Sequence, residues 1–300
     1  MGRRAYLVGI LTLAVMTLVA IWSLGSVMTQ GQQSNVSPAN PPATDIRLTS
    51  QDHVSIAGTF TPGCVERAPG VLLLHGIGSS RQATAENAAW LASLGYATLT
   101  IDFRGHGQSD VTAGTFGYKE GLDALTAFKW LRKRQGDAPL AVLGVSLGGA
   151  ASLIGEGGAL PADAMILQAV YPDLRHAIAN RLKVRLPWLL AVVAEPLLSF
   201  QAPFRFGVLP RRLSPLRALA EYRGPVLVIG GDMDRATLPS ETRQMFEAAS
   251  VGSEIWLLPG KDHGAVTTLT GTAYRHRIAS FLERTIGVAF LCEKAGLPQR

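Results

Sequence analysis

The chain has 300 residues, 47% of them hydrophobic, and a formal net charge of +6. This length allows one large domain with a terminal appendage or two small domains, and the apolar fraction is ample for a core. Eight Arg and one Lys against three carboxylates lie within residues 171–223, so the rest of the chain is neutral overall. Because the positive charge is confined to one segment, it excludes a nucleic-acid-binding surface spread over the fold.

The first 28 residues contain no charge beyond Arg3 and Arg4. Residues 5–28 form an uncharged and mainly apolar run. Its length reaches the roughly 20 apolar residues that span a bilayer, whereas the apolar core of a cleaved signal peptide has about 7–15. We therefore expect residues 1–28 to form an uncleaved membrane anchor with a cytoplasmic N-terminus and the remainder outside. Cleavage after Gly25, where Ser23 and Gly25 are suitably small, is the alternative and would release a secreted protein.

The next segment, residues 29–44, is rich in Gln, Ser and Pro and predicts a flexible linker. A domain is expected over residues 45–290, followed by a C-terminal tail at 291–300. It opens with two runs of strand-forming residues, 46–48 and 54–60, that are typical of an antiparallel hairpin.

Two cysteines, Cys64 and Cys292, lie far apart in the sequence. They form neither a metal-binding motif nor a disulfide framework. A single bridge between them in an oxidising compartment and two unrelated thiols both agree with the sequence.

From residue 70 onward, short apolar runs alternate with helical patterns. Strands are expected at 71–74, 96–101, 140–145, 164–170, 226–229 and 255–258, and helices at 82–94, 119–134, 147–156, 239–249 and 272–286. Strands that are apolar throughout and are each followed by a helix indicate a mostly parallel sheet covered on both faces.

One strand runs directly into a helix through Gly144-Val145-Ser146-Leu147-Gly148. Glycines two positions before and after Ser146 fit a sharp, strained turn in which strand and helix nearly touch, and such a turn projects the hydroxyl from the end of the sheet. This G-x-S-x-G pattern in its strand-turn-helix context resembles the nucleophile elbow of the α/β-hydrolase superfamily. The resemblance implies an α/β-hydrolase fold with Ser146 as the nucleophile.

A serine nucleophile needs a base and a third group that orients the base, and in this superfamily the acid and then the histidine follow the serine in the chain. The resemblance assigns the acid to Asp234, in the turn after the strand 226–229, with Asp232 as the alternative. His263, in a turn after the last strand, is the predicted base.

Further motifs extend the resemblance to the remainder of the expected domain. The loop His75-Gly76-Ile77-Gly78 implies an oxyanion hole made by the backbone N–H groups of Ile77 and Leu147. The turn at 102–107, Asp-Phe-Arg-Gly-His-Gly, implies a structural role beside the pocket. Neither a metal nor an organic cofactor is required by such a site.

Residues 171–223 occupy the position at which caps enter the fold in this superfamily. Their apolar stretch at 187–200 is too short to cross a bilayer as a straight helix and favours a cap that buries its apolar face on the catalytic domain. The alternative is a cap that also lies on an anionic membrane surface, because arginines alternate with its apolar side chains and the anchor holds the enzyme nearby. Arg181, Arg185, Arg211 and Arg212 are among these arginines.

The predicted activity is hydrolysis of a carboxylic ester through an acyl-enzyme, with a small-molecule or lipid-like substrate. An apolar acyl chain is favoured because the cap is rich in Leu, Val, Phe and Trp. A serine aminopeptidase-like enzyme is the first alternative, although recognition of a free amino terminus would favour more carboxylates than the cap's three. The second is a non-catalytic binding module tethered to the membrane.

Overall fold

The computed structural model describes residues 2–155 and 157–287, except the side chains of residues 2–4. The strands described, in chain order, are Gln32–Gln33 (β1), Thr44–Thr49 (β2), Ser55–Thr61 (β3), Gly70–Leu74 (β4), Ala97–Ile101 (β5), His106–Gly107 (β6), Leu140–Val145 (β7), Ala164–Gln168 (β8), Val226–Gly231 (β9) and Glu254–Leu258 (β10). The helices are Gly2–Met28 (α1), Gln82–Ser93 (α2), Glu120–Gln135 (α3), Leu147–Leu153 (α4), Leu174–Arg185 (α5), Trp188–Ser199 (α6), Ala202–Phe206 (α7), Pro215–Glu221 (α8), Pro239–Ala248 (α9), His263–Thr267 (α10) and Thr272–Thr285 (α11), with a 3₁₀ turn at Pro210–Arg212.

Eight strands form one sheet in the order β10-β9-β8-β7-β4-β5-β3-β2. The six strands from β10 to β5 are parallel, while β3 pairs antiparallel with both β5 and β2. This arrangement confirms the predicted mostly parallel sheet with its opening hairpin. It also brings the carboxyl ends of the parallel strands to one edge, where the loops that follow them meet.

The sheet is covered on both faces, as its apolar strands require. Along β4, Leu72 and Leu74 pack with Phe128 of α3, whereas Val71 and Leu73 pack on the opposite face with α2 and α11. Alternate residues of a strand point to opposite faces, so a strand buried on both sides is apolar throughout. These packed layers hold the carboxyl edge rigid and so fix the starting points of its loops.

Helix α4 ends at Leu153, three residues earlier than the sequence predicts. Ile154 leaves the helix with extended backbone angles. At this point α3 comes very close, because a Cβ atom on Gly121 would lie 2.4 Å from the carbonyl oxygen of Ile154. The crossing of α3 over the end of α4 is a tertiary contact that the local pattern does not contain.

The cap of residues 171–223 is helical, but its apolar stretch faces outward. Trp188 is 68% exposed and Val193 62% exposed, and Leu189, Leu190 and Val192 on the same helix are exposed as well. The buried side of α6 contains Ala191, Leu198 and Glu195, and Glu195 accepts two hydrogen bonds from Arg175 at 2.7 and 2.9 Å. The expectation that this stretch buries its apolar face on the catalytic domain therefore holds for Ala191 and Leu198, whereas most of its other apolar side chains are left outside.

Helix α1 packs its C-terminal end against the cap. Arg205 of α7 donates to the Trp22 carbonyl at 2.5 Å, and its guanidinium lies 4.1 Å from the centroid of the Trp22 ring. Gln201 donates to the carbonyl of Ile21 at 3.1 Å. By length and hydropathy alone, Ala5–Met28 is a candidate membrane span, and so is the stretch Trp188–Phe206, which is longer than the apolar segment 187–200 because it joins α6 to α7.

The segment that follows α1 differs from the flexible linker that its composition predicts. Gln32 and Gln33 pair as β1 with His106 and Gly107 of β6, and the Gly114 amide donates to Thr29 at 2.7 Å. The prediction considered only side chains with nothing to bury. It ignored backbone N–H and C=O groups, which are satisfied here by the loop after β5.

Cys64 is disulfide-bonded and is therefore not a free thiol. Cys292 and the predicted tail at 291–300 lie outside the residues that the structure describes.

Candidate active site

Ser146 lies between β7 and α4 in a strained conformation, with φ of 49° and ψ of −107°. The flanking glycines are needed because a Cβ atom on Gly144 would lie 2.5 Å from the Cα of Gly149. One on Gly148 would lie 2.3 Å from the carbonyl oxygen of Leu74. Contacts this short exclude any side chain at the two positions. The turn thus has the geometry that the sequence predicts, and Ser146 is placed at the carboxyl edge of the sheet.

Asp234 and His263 follow two adjacent strands. In the parallel pairing of β9 with β10, Gly231 is opposite Leu258, so the loops after the two strands start side by side. The Nδ1 atom of His263 lies 2.7 Å from Oδ2 of Asp234. A carboxylate only accepts hydrogen bonds, so Nδ1 carries the proton and Nε2 of the neutral ring has a free lone pair.

The Asp234 side chain is fully buried and held at both oxygens. Its Oδ1 accepts from the backbone amides of Ala236 and Thr237 at 2.7 and 2.8 Å, which leaves Oδ2 for His263. The alternative acid, Asp232, points elsewhere and accepts from the Gly260 amide at 2.7 Å. Of the two candidates, the structure therefore brings Asp234 to the histidine.

His263 is the first residue of the short helix α10, where a simple turn was expected. Asp262 is the N-cap and accepts a hydrogen bond from the Ala265 amide at 2.9 Å. The His263 side chain is 25% exposed, so its ring is open to a neighbouring cavity.

That cavity has a volume of about 770 Å³ and is lined by Ser146, His263 and the loop His75-Gly76-Ile77. The Ser146 hydroxyl is buried and has no hydrogen-bond partner among the described residues. The structure thus brings serine and histidine to one cavity without a hydrogen bond between them. Hydrogen bonds of this kind are often long or absent before substrate binds.

The predicted oxyanion loop lies against the serine. A Cβ atom on Gly76 would be 3.7 Å from the Cβ of Ser146. His75 holds the loop in place: its Nε2 accepts from the Phe103 amide at 3.0 Å, and its Nδ1 lies 2.7 Å from the Gly76 carbonyl oxygen. Within the described part of the chain, neither the Ile77 amide nor the Leu147 amide donates to another residue, so both donors are free for a ligand.

The turn at 102–107 is a scaffold for this loop, in agreement with the role that the resemblance implies. Asp102 accepts from the backbone amides of Arg81 and Gln108 at 2.6 and 2.9 Å. Arg104 forms ion pairs with Asp123 at 2.7 Å and with Asp52 at 2.6 Å. The pairing of Arg104 with the buried Asp123 is not predicted from the sequence, because it joins distant segments.

Sequence reasoning also missed most of the cavity wall. Gln168 receives a hydrogen bond from Tyr274 at 3.0 Å and lines the cavity beneath the serine. Arg181, Arg185 and Arg235 line it as well. Arg181 and Arg185 are four residues apart, a spacing that places both on one side of a helix but does not distinguish an inward side from an outward one.

Comparisons with known proteins agree with this geometry. A family model described as Serine aminopeptidase, S33, matches residues 66–203. The uncharacterized protein YqkD of Bacillus subtilis is 24% identical over 71% of this chain and 70% of its own length. The lysophosphatidylserine lipase ABHD12 of Rattus norvegicus is 36% identical, but the match spans 36% of this chain and only 28% of the lipase.

Solved structures show the same fold. The Pyrococcus furiosus esterase Pf2001 superposes with a TM-score of 0.67 and 22% identity, covering 86% of this chain and 99% of the esterase. The α/β hydrolase GrgF from a Penicillium species superposes with a TM-score of 0.64 and 19% identity, covering 82% of this chain and all of that one (100%). The sheet, the elbow and these likenesses define an α/β-hydrolase fold. The chain is thus similar in fold and in part of its sequence to members of the α/β-hydrolase superfamily.

Proposed function

We propose that the protein is a serine hydrolase that cleaves a carboxylic ester through an acyl-enzyme. The observation that carries this proposal is the hydrogen bond of 2.7 Å between His263 and Asp234 at the wall of the cavity that holds the strained Ser146. A hydroxyl alone is a weak nucleophile, and this arrangement supplies both a base and the group that orients it.

In this mechanism, Nε2 of His263 accepts the hydroxyl proton as Oγ of Ser146 attacks the ester carbonyl carbon. The negative charge then develops on the carbonyl oxygen, and the amides of Ile77 and Leu147 donate to it. The imidazolium returns the proton to the leaving alcohol as the carbon–oxygen bond breaks. Water, deprotonated by the same imidazole, hydrolyses the acyl-enzyme and restores the serine.

The charges around the cavity favour an ester over a peptide with a free amino terminus. Among the described residues that line the cavity, Asp262 is the only carboxylate, and it is engaged as a helix cap. None of the three cap carboxylates lines it; Asp173 caps α5 and Glu195 pairs with Arg175. An ammonium group would therefore lack the anionic partner that such recognition requires.

An apolar acyl chain would contact the catalytic domain more than the cap. The outward residues of α6 do not line the cavity, and Val184 is the one apolar cap residue that does. The apolar wall is supplied by the catalytic domain instead, through Ile77, Val145 and Leu269 among others. This wall suits an acyl chain of moderate length beside the scissile bond.

The same outward face supports a membrane-tethered enzyme. Exposed apolar side chains of α6 lie beside the apolar helix α1, which makes one continuous surface that a bilayer would cover. Gly25, at the alternative cleavage position, is buried against Gln201, which favours an uncleaved anchor. The disulfide at Cys64 agrees with a catalytic domain in an oxidising compartment outside the cytoplasm.

Two similar proteins, a lysophosphatidylserine lipase and an esterase, have names that agree with an ester substrate. They describe those proteins, and the activity proposed here depends on the site of this chain.

The direct test is labelling of the full chain by a fluorophosphonate, which reacts covalently with an activated serine. Labelling is expected for the wild type and for Ser93→Ala, an exposed serine of α2, and is expected to be lost in Ser146→Ala. Turnover of 4-nitrophenyl esters of increasing acyl length, measured beside aminoacyl anilides, then separates esterase from aminopeptidase. A folded wild type that is neither labelled nor active would instead support a binding module.

A further inference from the structure

Three arginines converge on the cavity that contains Ser146 and His263. Arg181 and Arg185 reach it from the cap helix α5, and Arg235 reaches it from the turn that holds Asp234. Residues four apart lie on one side of a helix, so the two cap arginines approach the cavity together. Arg181 is half-buried, while Arg185 and Arg235 are exposed nearer the solvent.

None of these guanidinium groups forms an ion pair within the part of the chain that the structure describes. Arg181 donates to the backbone carbonyl of Ala177 at 2.8 Å, and Arg185 and Arg235 donate to no described residue. Buried positive charge is costly without a partner, and burial lowers the pKa of the Arg181 guanidinium. The wall therefore holds a surplus of unpaired positive charge.

The carboxylates of Asp234 and Glu241 attract Arg181 through space, but neither pairs with it directly. Asp234 is committed to His263 and to two backbone amides, and Glu241 to Asn180 and the Leu238 amide. By contrast, the buried Arg104 pairs directly with Asp123 and Asp52. The half-buried Arg181 has no such direct partner among the described residues.

We propose that the cavity binds substrates that carry an anionic group, a phosphate or a carboxylate, which Arg181, Arg185 and Arg235 recognise. The planar guanidinium forms two parallel hydrogen bonds to either group. The assignment of these ligands as substrates rests on the proposed hydrolase activity, because their ester bond must reach Ser146. Anion binding itself is measurable without turnover.

The binding test uses the full chain in neutral detergent micelles, titrated calorimetrically with hexyl phosphate, hexanoate and 1-hexanol. We expect both anions to bind more tightly than the alcohol, and the tighter of the two identifies the group that the site is built for. Arg181→Gln combined with Arg185→Gln and Arg235→Gln is expected to weaken anion binding at least about tenfold, since each charge-assisted hydrogen bond contributes to it.

Two controls separate recognition from damage to the fold. Arg211→Gln with Arg212→Gln removes charge from the same cap but outside the cavity lining, and should leave anion binding unchanged. Arg181→Lys keeps the charge and should retain part of the affinity. Equal affinity of the wild type for hexanol and hexyl phosphate, or anion binding that is unchanged in the triple variant, would overturn the proposal.

Turnover then distinguishes this inference from the proposed function. The wild type should cleave the 4-nitrophenyl monoester of glutaric acid with a lower KM than 4-nitrophenyl pentanoate, and the triple variant should lose this difference while still cleaving pentanoate. Anion binding without ester cleavage would refute the hydrolase and leave the anion site in place. Cleavage of pentanoate by a wild type that shows no preference for anions would refute the anion site and leave the hydrolase in place.

Discussion

Asp234 and His263, 29 residues apart in the chain, are joined by a hydrogen bond of 2.7 Å. Adjacent parallel strands bring them together, because Gly231 at the end of β9 is opposite Leu258 at the end of β10. The approach is so close that a Cβ atom on Gly231 would lie 2.1 Å from the Lys261 carbonyl oxygen. A glycine at position 231 is therefore needed for the two loops to lie close enough for the hydrogen bond between Asp234 and His263.

Replacement of Asp234 by Asn is expected to lower kcat by roughly 10³- to 10⁴-fold, because an amide no longer fixes the protonated Nδ1 tautomer of His263. Steady-state hydrolysis of a 4-nitrophenyl ester measures the loss. Asp232→Asn is the matched control and should keep kcat within about threefold of the wild type, since Asp232 bonds to the Gly260 amide instead. Equal losses in both variants would contradict the assignment of the acid.

Gly148→Ala is expected to destabilise the fold by about 3 kcal/mol, because the new methyl group would meet the backbone oxygen of Leu74 at 2.3 Å. Urea unfolding followed by circular dichroism measures the change. Gly157→Ala provides the comparison, since its methyl group would lie 3.6 Å from Leu125, an ordinary contact. If the two variants unfold at the same urea concentration, the close approach of Gly148 to Leu74 does not determine the stability of the fold.

His75 gives the fold a defined sensitivity to acid. Burial lowers its pKa from 6.5 to about 4, and the neighbouring His106 acts in the same direction. Above pH 6.5 the ring is neutral in both folded and unfolded chains. Between pH 6.5 and 4 only the unfolded chain takes up a proton, so the free energy of unfolding falls by up to about 3 kcal/mol as the pH drops.

Urea unfolding at several pH values tests this, with His75→Gln compared with the wild type. The variant is expected to lose less stability over that interval, whereas replacement of the exposed His276 by Gln should keep the full loss. A pH dependence of unfolding that is identical in wild type and His75→Gln would contradict the role of this ring.

The outward face of α6 is expected to contact a bilayer. With an environment-sensitive fluorophore on Val193→Cys, the full chain reconstituted in phosphatidylcholine vesicles should show a blue-shifted emission, because this exposed position would leave water for the lipid interface. The same label on Glu247→Cys, at α9 outside the apolar surface, should emit as it does in water. Water-like emission from both positions would place α6 away from the membrane.

Local patterns in the sequence determined the order of strands and helices and the identity of the strained serine. Apolar runs such as those of β4 and β7 are buried on both faces, so their composition alone reveals them. The elbow is local in part, because Gly144 allows the close approach of Gly149, five residues further on, whereas Gly148 is needed for its contact with Leu74 of β4. His263, in the turn after the last predicted strand, lines the cavity, and its role as the base stays a prediction.

The tertiary structure decided the features that depend on where a side chain points. Asp232 and Asp234 lie in the same turn, but the Asp232 side chain bonds to the Gly260 amide and the Asp234 side chain to His263. The inward Ala191 and Leu198 and the outward Val193 belong to one apolar stretch, and only the packing of α6 shows which of them face the domain. Composition records which residues a segment contains, whereas only packing determines the face that each side chain occupies.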